Sequence, residues 1–515
     1  MSKPHREIEL KLEVLPEVQD LLKRTAIPEG FQSSRAVTKA LHSIYFDTPD
    51  QALRRAKISL RVRKDGQSWV QTVKLGTGVI GGLSSAVEAE HPVPGRAIDL
   101  GVIEDPQILN HLVETLAGQM LSEACETLMK RTTRILTAND GSKIEVAFDT
   151  GEIKAGDKSR ALSEVELELK EGSGRSLYAA AEGMLGATPF RFSPYSKAER
   201  GFRLAGGEDT ANLQPALASD ISLIASESVE HAFRSVLRSC LEQIAQNRAT
   251  ILSSDDPEGP HQMRIGLRRL RSAFRLFKPA LNANTLAPLD DAARAIALRV
   301  GALRDLDALS EDIISPLADQ VPNELSIEPL KAHLASLRAE ERKNLAEYLI
   351  TEEVNRFIFD LAAYTEARGW LEPEMFDQTE RLAAPILSLA GPALDKQWKK
   401  ASRYGRHIEE LTIPERHEMR KALKKLRYGV EFFGALYPRK DVKPFLKQLK
   451  RLQDVFGYLN DVAMAEKLLT MPKARGAVAQ AIGYAVGWHE AQSQHMWNHA
   501  RDYWGNTKAT RKFWR

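Results

Sequence analysis

The first strand-like segment of the chain, Glu7 to Leu12, alternates charged and apolar side chains. Glu7, Glu9 and Lys11 fall on one face and aliphatic residues fall on the other, which is the two-residue period of a β-strand. Two carboxylates on neighbouring positions of one strand face lie about 7 Å apart. That spacing suits a hard divalent cation, and the lysine next in the row suits an anion. Such a face limits the possible folds, because inside a protein its charges must be paired or bind ions.

Similar runs recur over the first 205 residues, and turn signals such as Lys64-Asp65-Gly66-Gln67 separate them. Further strands are predicted at His42–Phe46, Ile58–Arg63, Trp69–Leu75, Ala86–Val93, Lys130–Thr137, Lys143–Phe148 and Ser163–Lys170. Helices are predicted at Leu15–Thr25, Gln107–Leu116 and Arg175–Leu185. Many short strands joined by hairpin turns predict an antiparallel sheet that closes on itself.

The polar faces of these strands carry an unusual number of charges. Same-face positions hold Arg61 with Arg63, Thr72 with Lys74, Glu88 with Glu90, and Glu164 with Glu166, Glu168 and Lys170. If the apolar faces pack outward on helices, the charged faces line the interior of a barrel. A polyanion together with divalent cations would satisfy both signs of charge there, since Arg and Lys bind phosphate oxygens and carboxylates bind Mg²⁺ or Mn²⁺. An open sheet with half-solvated strands is the alternative interpretation.

Six motifs in this region resemble, in order, those of the CYTH domain of triphosphate tunnel metalloenzymes. They are Glu7-x-Glu9-x-Lys11, Tyr45-Phe46-Asp47-Thr48, Leu60-Arg61-Val62-Arg63, Thr72-Val73-Lys74, Glu164-x-Glu166-x-Glu168 and Ser196-Lys197-x-x-Arg200-Gly201. The resemblance implies an eight-stranded antiparallel β tunnel with flanking helices, over residues 1–205. It also implies action on triphosphates with a divalent metal, Mg²⁺ or Mn²⁺. One departure is Ser84-Ser85-Ala86, where some relatives carry a basic residue shortly before the acid at Glu88.

The resemblance assigns roles to individual residues of the tunnel. The expected phosphate-binding cations are Lys11, Arg61, Arg63, Lys74, Arg131, Lys154, Lys197 and Arg200. The expected metal ligands are Glu7, Glu9, Glu166 and Glu168. The candidates for a catalytic role are Lys11, Glu88, Glu145 and Asp149, and the residue types leave the general base open among the lumen carboxylates and Lys11. A Walker A loop and Ser-His-Asp, Cys-His or zinc-type patterns are absent from this half of the sequence.

The second half of the chain is predicted to be all-α. Residues 206–220 contain Gly206-Gly207, Pro215 and small polar residues, which are typical of a linker. Residues 221–515 contain an internal repeat, in which His261 recurs as His417, 156 positions later. The same spacing relates Arg264 to Arg420, Arg268 to Lys424, Arg271 to Arg427, Phe277 to Phe433, Gly301 to Gly457 and Asp305 to Asp461. We therefore expect an α+β chain whose second domain holds two four-helix bundles, at about 221–370 and 371–515.

A row of cations marks one helix face in each copy of the repeat. Like charges at helical spacing repel one another, so a polyanionic partner or intramolecular acids such as Asp305, Asp307 and Asp461 are expected. The region resembles, over about residues 219–510, the CHAD domain, a family associated with inorganic polyphosphate. The residues that this resemblance assigns to polyphosphate are His261, Arg264, Arg268, Arg269, Arg271, Arg275, His417, Arg420, Lys424, Lys425 and Arg427.

Composition restricts the partners and the compartment. With 72 Lys and Arg against 69 Asp and Glu, the net charge is only +3, so no global field indicates nucleic acid. Base-stacking aromatics are not interleaved among the clustered cations, and we therefore rank nucleic acid below polyphosphate. The two cysteines lack metal-type spacing and fit a reducing compartment. The N-terminus has no apolar signal core and no run of 18 apolar residues occurs, so a cytoplasmic protein without a membrane span is expected.

The sequence favours a metal-dependent inorganic triphosphatase that releases phosphate and diphosphate, with a C-terminal domain that binds polyphosphate. One alternative is another enzyme of the same fold, which hydrolyses an organic triphosphate such as thiamine triphosphate or cyclises ATP. Another alternative is a polyphosphate-binding protein without turnover. The number of carboxylates disfavours this last alternative, because binding a polyanion alone does not require them.

Overall fold

The computed structural model describes most of the chain, namely residues 5–76, 78–80, 82–186, 188, 190–193, 195–207, 213–281, 283–318, 320–322, 325–372, 374–465 and 476–515. Two compact units are present. The barrel unit comprises Met1–Gln214, Leu252–Ser254 and Glu352–Gly369, and the helical unit comprises Pro215–Ile251, Asp255–Thr351 and Trp370–Arg515. The described helices include none that is both long enough and apolar enough to cross a bilayer.

The barrel unit is built on one antiparallel sheet. Its strands are β1 (His5–Glu13), β2 (Phe31–Ser33), β3 (Val37–Asp47), β4 (Ile58–Asp65), β5 (Ser68–Leu75), β6 (Val79–Ile80), β7 (Leu83–Val93), β8 (Ser122–Ala138), β9 (Lys143–Ala155), β10 (Lys158–Glu171) and β11 (Arg191–Phe192). Eight of them form a ring in the order β1-β10-β9-β8-β3-β4-β5-β7, and β7 pairs with β1 to close it. The predicted eight-stranded closed barrel is therefore confirmed.

The alternation of residues in β1 explains how the barrel acquires a charged interior. Leu10 and Leu12 are fully buried on one face, and Glu9 and Lys11 are 5% and 7% exposed on the other. Lys11 lies opposite Glu166 in β10, so the charged faces of neighbouring strands meet in register. This arrangement places cations and carboxylates from different strands within ion-pair distance.

Fifteen α-helices are described in the two units. They are α1 (Pro16–Arg24), α2 (Ala52–Arg55), α3 (Pro106–Leu116), α4 (Gly174–Leu185), α5 (Lys197–Ala205), α6 (Val229–Ser253), α7 (Glu258–Phe277), α8 (Ala283–Ala308), α9 (Glu328–Leu349), α10 (Glu352–Glu366), α11 (Phe376–Ala383), α12 (Leu387–Gly405), α13 (Ile413–Phe433), α14 (Arg439–Ala465) and α15 (Ala477–Ala509). Helix α5 begins after Ser196, whose hydroxyl accepts the backbone N–H of Glu199. Phe202 of α5 packs edge-on against Tyr45 of β3, so apolar side chains fill the barrel beside this helix.

The helical unit contains two sets of four long helices, α6–α9 and α12–α15. Helices α7 and α8 recur as α13 and α14 after 156 positions, as the repeat predicts. Equivalent residues of the two copies meet, since the rings of Phe277 and Phe433 have centroids 5.6 Å apart. The basic rows of α7 and α13 are therefore neighbours within one unit.

Helix α10 belongs to the barrel unit, although the sequence places residues 221–515 in one helical domain. Its Phe359 packs edge-on against Tyr178 of α4, with ring centroids 5.6 Å apart. Arg356 of α10 forms an ion pair with Glu182 of the same helix α4. The cause of the difference is this aromatic and ionic contact, which joins segments that are far apart in sequence.

Asp47, within the motif Tyr45-Phe46-Asp47-Thr48, holds a turn together. Its carboxylate is 1% exposed and accepts the backbone N–H groups of Thr48 (2.7 Å), Leu53 (2.9 Å) and Arg54 (3.0 Å). We expect Asp47→Ala to lower the free energy of unfolding by about 2–3 kcal/mol, because it leaves buried donors without an acceptor. Urea unfolding of the full chain measures this, with the exposed Asp20→Ala as the control, which should change it by less than about 0.5 kcal/mol. Equal effects of the two changes would contradict the prediction.

Candidate functional site

Glu166 of β10 joins three cations inside the barrel. Its Oε1 atom lies 2.8 Å from Nζ of Lys11 and 2.6 Å from Nζ of Lys197. Its Oε2 atom accepts a hydrogen bond of 2.5 Å from Nη2 of Arg131. Lys11 also contacts Glu9, its neighbour on the same face of β1. Four elements, β1, β8, β10 and α5, thus converge on one carboxylate.

A second group of carboxylates surrounds the ammonium of Lys197. Its Nζ atom lies 2.9 Å from Asp149 Oδ2 and 2.7 Å from Glu164 Oε2. Arg131 donates from Nε to Asp149 Oδ1 at 2.7 Å, and Arg200 contacts Glu164. Oxygen atoms of Asp149, Glu164 and Glu166 lie within 4.8 Å of one another, which is close enough to share a cation.

Burial and neighbouring charges set the protonation of this cluster. Burial would raise the pKa of Glu166, but Lys11, Lys197 and Arg131 outweigh it and hold the pKa well below its usual range. For Glu9, burial and the adjacent charge of Glu166 raise the pKa to about 8. Burial would lower the pKa of Lys11, yet the carboxylates of Glu166 and Glu9 raise it well above its ordinary value. Glu166 and Lys11 are therefore both charged at neutral pH, whereas the pKa of Glu9 is shifted into the neutral range.

A further group of charges lies along β1, β4, β5 and β7. Lys74 Nζ contacts Glu7 Oε2 at 2.5 Å and Glu88 Oε1 at 3.2 Å. Arg61 lies 3.8 Å from Glu88, and its neighbour Arg63 donates to the Ser43 hydroxyl at 3.0 Å. Burial and the charges of Arg61 and Arg131 lower the pKa of Arg63 to about 10. Arg63 therefore lies in a repulsive environment that an anion would relieve.

In the helical unit, cations of α7 and α13 crowd together. Arg264 contacts Asp305 of α8. The charge of Asp461 on α14 favours the charged form of Arg420. Burial, together with Arg268, Arg420 and Arg264, lowers the pKa of Lys424 to about 6. Burial and Arg264 likewise lower the pKa of Arg268 to about 10. We name the surface formed by Arg264, Arg268, Arg420 and Lys424 the basic groove.

Two protein-family models match the chain, one over the barrel and the other over the helical region that holds the basic groove. The CYTH domain model matches residues 5–202, and the CHAD domain model matches residues 235–470. The chain is a CYTH domain followed by a CHAD domain.

Individual relatives cover the chain only in part. The inorganic triphosphatase of Haemophilus influenzae is 33% identical over 205 residues, which are 39% of this chain and 55% of that protein. The chain thus spans about half the length of this curated relative. The CHAD domain of the plant Ricinus communis is 26% identical over 58% of this chain and 98% of that structure, with a TM-score of 0.49. A putative adenylyl cyclase from Hippeastrum, described as having a dominant triphosphatase activity, is 20% identical. The match covers 38% of this chain and 95% of that structure, with a TM-score of 0.28. TM-scores below 0.5 support no statement about function.

The donors in the CYTH domain fit a hard divalent cation. The cluster of Asp149, Glu164 and Glu166 offers carboxylate oxygens, which Mg²⁺ and Mn²⁺ prefer, and Glu166 is the one expected metal ligand within it. Burial and the charge of Glu166 raise the pKa of Glu9, and a divalent cation bound between these two carboxylates would favour the ionised form of Glu9. Of the other expected ligands, Glu7 pairs with Lys74, and Glu168 lies half-buried 2.7 Å from Lys170.

One predicted placement in the CYTH domain needs correction. Lys154 lies on the opposite face of β9 from Asp149, where it pairs with Glu152 at 2.7 Å outside the barrel. The strand continues beyond its predicted end at Phe148, and Lys154 comes five positions after Asp149, so the two side chains point to opposite faces of β9. Lys197 and Arg200 lie on helix α5, an element that the sequence patterns do not predict.

The proposed catalytic residues differ in their surroundings. Asp149 has its pKa lowered, because Lys197 and Arg131 outweigh the effect of burial. Glu88 pairs with Lys74, and Glu145 lies opposite Glu168 in the register of β9 and β10. The raised pKa of Lys11 makes its amine a poor proton acceptor at neutral pH. Lys11 is therefore better suited to bind phosphate oxygens than to act as a base.

In the CHAD domain, Arg269 lies outside the basic groove, contrary to the prediction. It is 2% exposed and donates to Gln243 Oε1 (2.8 Å) and Ser239 Oγ (3.2 Å) of α6. His261 accepts a hydrogen bond from Arg304 Nε through Nδ1, and burial together with Arg304 lowers its pKa. His261 is therefore neutral at pH 7, so it does not add a positive charge to the basic row of α7.

The remaining predicted CHAD cations have acidic neighbours. Arg271 lies 2.7 Å from Asp290, which Arg275 approaches at 4.0 Å. Arg427 pairs with Glu431 one turn farther along α13, at 2.7 Å. His417 is partly exposed, and burial together with Lys421 and Arg420 lowers its pKa. Asp307, expected to face the basic row, instead pairs with Arg338 of α9 at 2.8 Å.

Sequence reasoning did not assign site roles to Glu13, Glu164, Ser43 and Tyr45. Glu164 contacts Lys197 and Arg200, and Glu13 lies 3.3 Å from Arg200. Glu164 lies on the same face of β10 as Glu166. The two-residue alternation of this strand was therefore sufficient to predict that Glu164 belongs to the site. Ser43 and Tyr45 lie opposite Arg63 and Arg61 on β3, which only the pairing of strands reveals.

Proposed function

We propose that the CYTH domain is a divalent-metal-dependent inorganic triphosphatase, which releases phosphate and diphosphate. The observation that carries this proposal is the convergence of Lys11, Lys197 and Arg131 on Glu166, beside the buried carboxyl group of Glu9. A wall of interleaved cations and carboxylates suits a substrate that carries phosphate charge together with metal ions. The inorganic triphosphatase of Haemophilus influenzae supports the choice of substrate.

The cations of the barrel would position the phosphate groups. Arg63, Arg61 and Lys74 line one part of the interior, and Lys11, Arg131 and Lys197 line another. Arginine binds phosphate oxygens through two parallel hydrogen bonds, whereas lysine acts as a point charge. Such positioning matters, because phosphoryl transfer depends mainly on orientation and on charge stabilisation.

The carboxylates of Glu7, Glu9, Glu166 and Glu168 would hold the metal, with Mg²⁺ or Mn²⁺ as the candidates. A bound divalent cation neutralises charge that develops on phosphate oxygens. Lys11 and Lys197 already hold Glu166 in place from two directions, so its orientation depends little on the ligand. Glu9, with a pKa of about 8, is the carboxyl group in this cluster that can gain or lose a proton near neutral pH.

We also propose that the basic groove of the CHAD domain binds inorganic polyphosphate. Burial, together with repulsion from Arg268, Arg420 and Arg264, lowers the pKa of Lys424 there to about 6. A flexible phosphate chain would relieve this repulsion without any need for base-specific contacts. The groove would hold polyphosphate on the same chain as the triphosphatase.

Phosphate release from inorganic triphosphate, ATP and thiamine triphosphate, measured side by side with Mg²⁺, tests the enzymatic proposal. We expect inorganic triphosphate to be the preferred substrate, and we expect Glu9→Gln and EDTA each to abolish its turnover. A preference for thiamine triphosphate or ATP would favour the alternative enzymes of this fold. No release from any substrate, with polyphosphate binding retained, would contradict the enzymatic proposal.

A further inference from the structure

Arg269 and Lys425 occupy equivalent positions in the two copies of the helical repeat, 156 residues apart, but their surroundings differ. The guanidinium of Arg269 is buried, and its two terminal nitrogens donate to the side-chain oxygens of Gln243 and Ser239 on α6. Lys425 is half-buried, and its neighbours include the cations Arg275 and Lys400. Burial and these two charges lower the pKa of Lys425. In the second copy three cations, Arg275, Lys400 and Lys421, and one acid, Glu418, surround this position, so its environment is net positive.

Helix α12 extends this excess of positive charge along the surface. A depression of about 680 Å³ is lined by Lys396, Lys399 and Lys400, together with Trp514 and Arg515 near the C-terminus. All three lysines are exposed.

A neighbouring depression of about 260 Å³ shares Lys396 and adds Arg275 and Arg381. Among the described residues that line the two depressions, Asp395 is the one acid. Asp395 already accepts hydrogen bonds from Trp514 Nε1 (2.8 Å) and Arg515 Nε (2.9 Å). The charge of Asp395 is therefore neutralised by Arg515. The lysines of α12 consequently leave this surface with a net positive charge.

We propose that Lys396, Lys399 and Lys400 of α12, with Arg275 and Lys425, form a second phosphate-binding segment that continues the basic groove. This inference rests on the proposed binding of polyphosphate by that groove. Arg275 connects the two, since it ends the basic row of α7 and also lines the depression beside Lys396. Exposed lysines suit this task, because an ammonium group binds phosphate oxygens without a fixed orientation.

The length of the combined surface makes the second segment selective for long chains. From Arg264 to Arg275 helix α7 rises by about 16 Å, at 1.5 Å per residue. Lys396 of α12 lines the same depression as Arg275, the last cation of this row. A triphosphate can occupy one part of such a surface at a time, whereas a long polyphosphate contacts both parts. The contacts on α12 therefore add affinity for long chains alone.

The test compares the full-length protein with Lys396→Glu/Lys400→Glu, using long-chain polyphosphate and tripolyphosphate in EDTA. We expect the affinity for long chains to fall by about tenfold or more, and the slope of log affinity against log salt to decrease by about two. Binding and Mg²⁺-dependent hydrolysis of tripolyphosphate should be unchanged. The matched control is Lys331→Glu/Lys343→Glu on α9, which makes the same change of charge.

Three results would overturn the inference. They are unchanged long-chain affinity, an equal loss in the α9 control, and an equal loss for tripolyphosphate, which would indicate a site for small anions. If the unmodified protein fails to bind long-chain polyphosphate, the proposal for the basic groove itself fails. That failure is distinguishable, because it appears before any substitution is made.

Discussion

Replacing Glu166 with glutamine is expected to slow phosphate release from inorganic triphosphate by at least about 100-fold. Glu166 contacts Lys11, Lys197 and Arg131, so the neutral amide would release three cations from their common partner. The same change removes one of the carboxylates proposed to hold the metal. Both effects act on the positions of charges that phosphoryl transfer requires.

The measurement is the initial rate with saturating Mg²⁺, divided by the folded fraction from circular dichroism. This correction is needed because the loss of one partner from a buried charge cluster also destabilises the fold, by about 3–5 kcal/mol in comparable cases. Glu171→Gln is the matched control, since Glu171 lies exposed on the same strand β10 and pairs with Lys143 at 2.9 Å. A rate for Glu166→Gln within threefold of this control would contradict the assigned site.

Lys424→Gln is expected to stabilise the ligand-free protein while weakening its binding of polyphosphate. Burial and the neighbouring arginines lower the pKa of Lys424 from 10.5 to about 6 in the folded protein. Between these pH values the unfolded chain binds more protons at this site than the folded chain, so stability increases with pH. The substitution should therefore raise the melting temperature most near pH 6, by a few degrees, and least near pH 10.

Polyphosphate binding by the same variant should be weaker by roughly tenfold at low salt, because one cation of the basic groove is lost. Proton uptake on binding, measured by calorimetry in buffers of different ionisation enthalpy, should also disappear. Lys343→Gln on α9 is the control for both quantities. Competition with RNA identifies the ligand class, since RNA that displaces polyphosphate at equal phosphate concentration would favour nucleic acid. A lower melting temperature at pH 6 would contradict the electrostatic explanation.

The closed barrel was predictable because a two-residue period is a local property of each strand. Every predicted strand, from the first through Ser163–Lys170, overlaps a strand of the ring. Helix α5 was missed, although Ser196 and Glu199 form the Ser-x-x-Glu pattern that often begins a helix. Lys197 and Arg200 therefore belong to an element that the strand pattern does not predict.

Contacts between distant segments were beyond the reach of sequence patterns. Arg268 and Arg269 are adjacent in sequence, yet one belongs to the basic groove and the other is buried against Gln243 of α6. The helical period turns Arg269 by about 100° away from the face of Arg268, but it does not identify Gln243 and Ser239 as the partners of Arg269. The clustering of Glu9 with Glu166 depends in the same way on the pairing of β1 with β10, two strands that lie far apart in sequence. Residue types at the site were therefore predictable, whereas their partners were not.

Helix α10 restricts where the gene for such a chain can be shortened or recombined without exposing apolar surface. The helix lies within the match to the CHAD domain model but packs on α4 through Phe359 and Tyr178. A gene that ended after the barrel would encode a protein without this helix, and the aromatic surface of α4 would face water. Recombination between the CYTH and CHAD domains would therefore favour a new C-terminal domain that also packs on α4. The alternative is substitution of Tyr178 and its neighbours by polar residues.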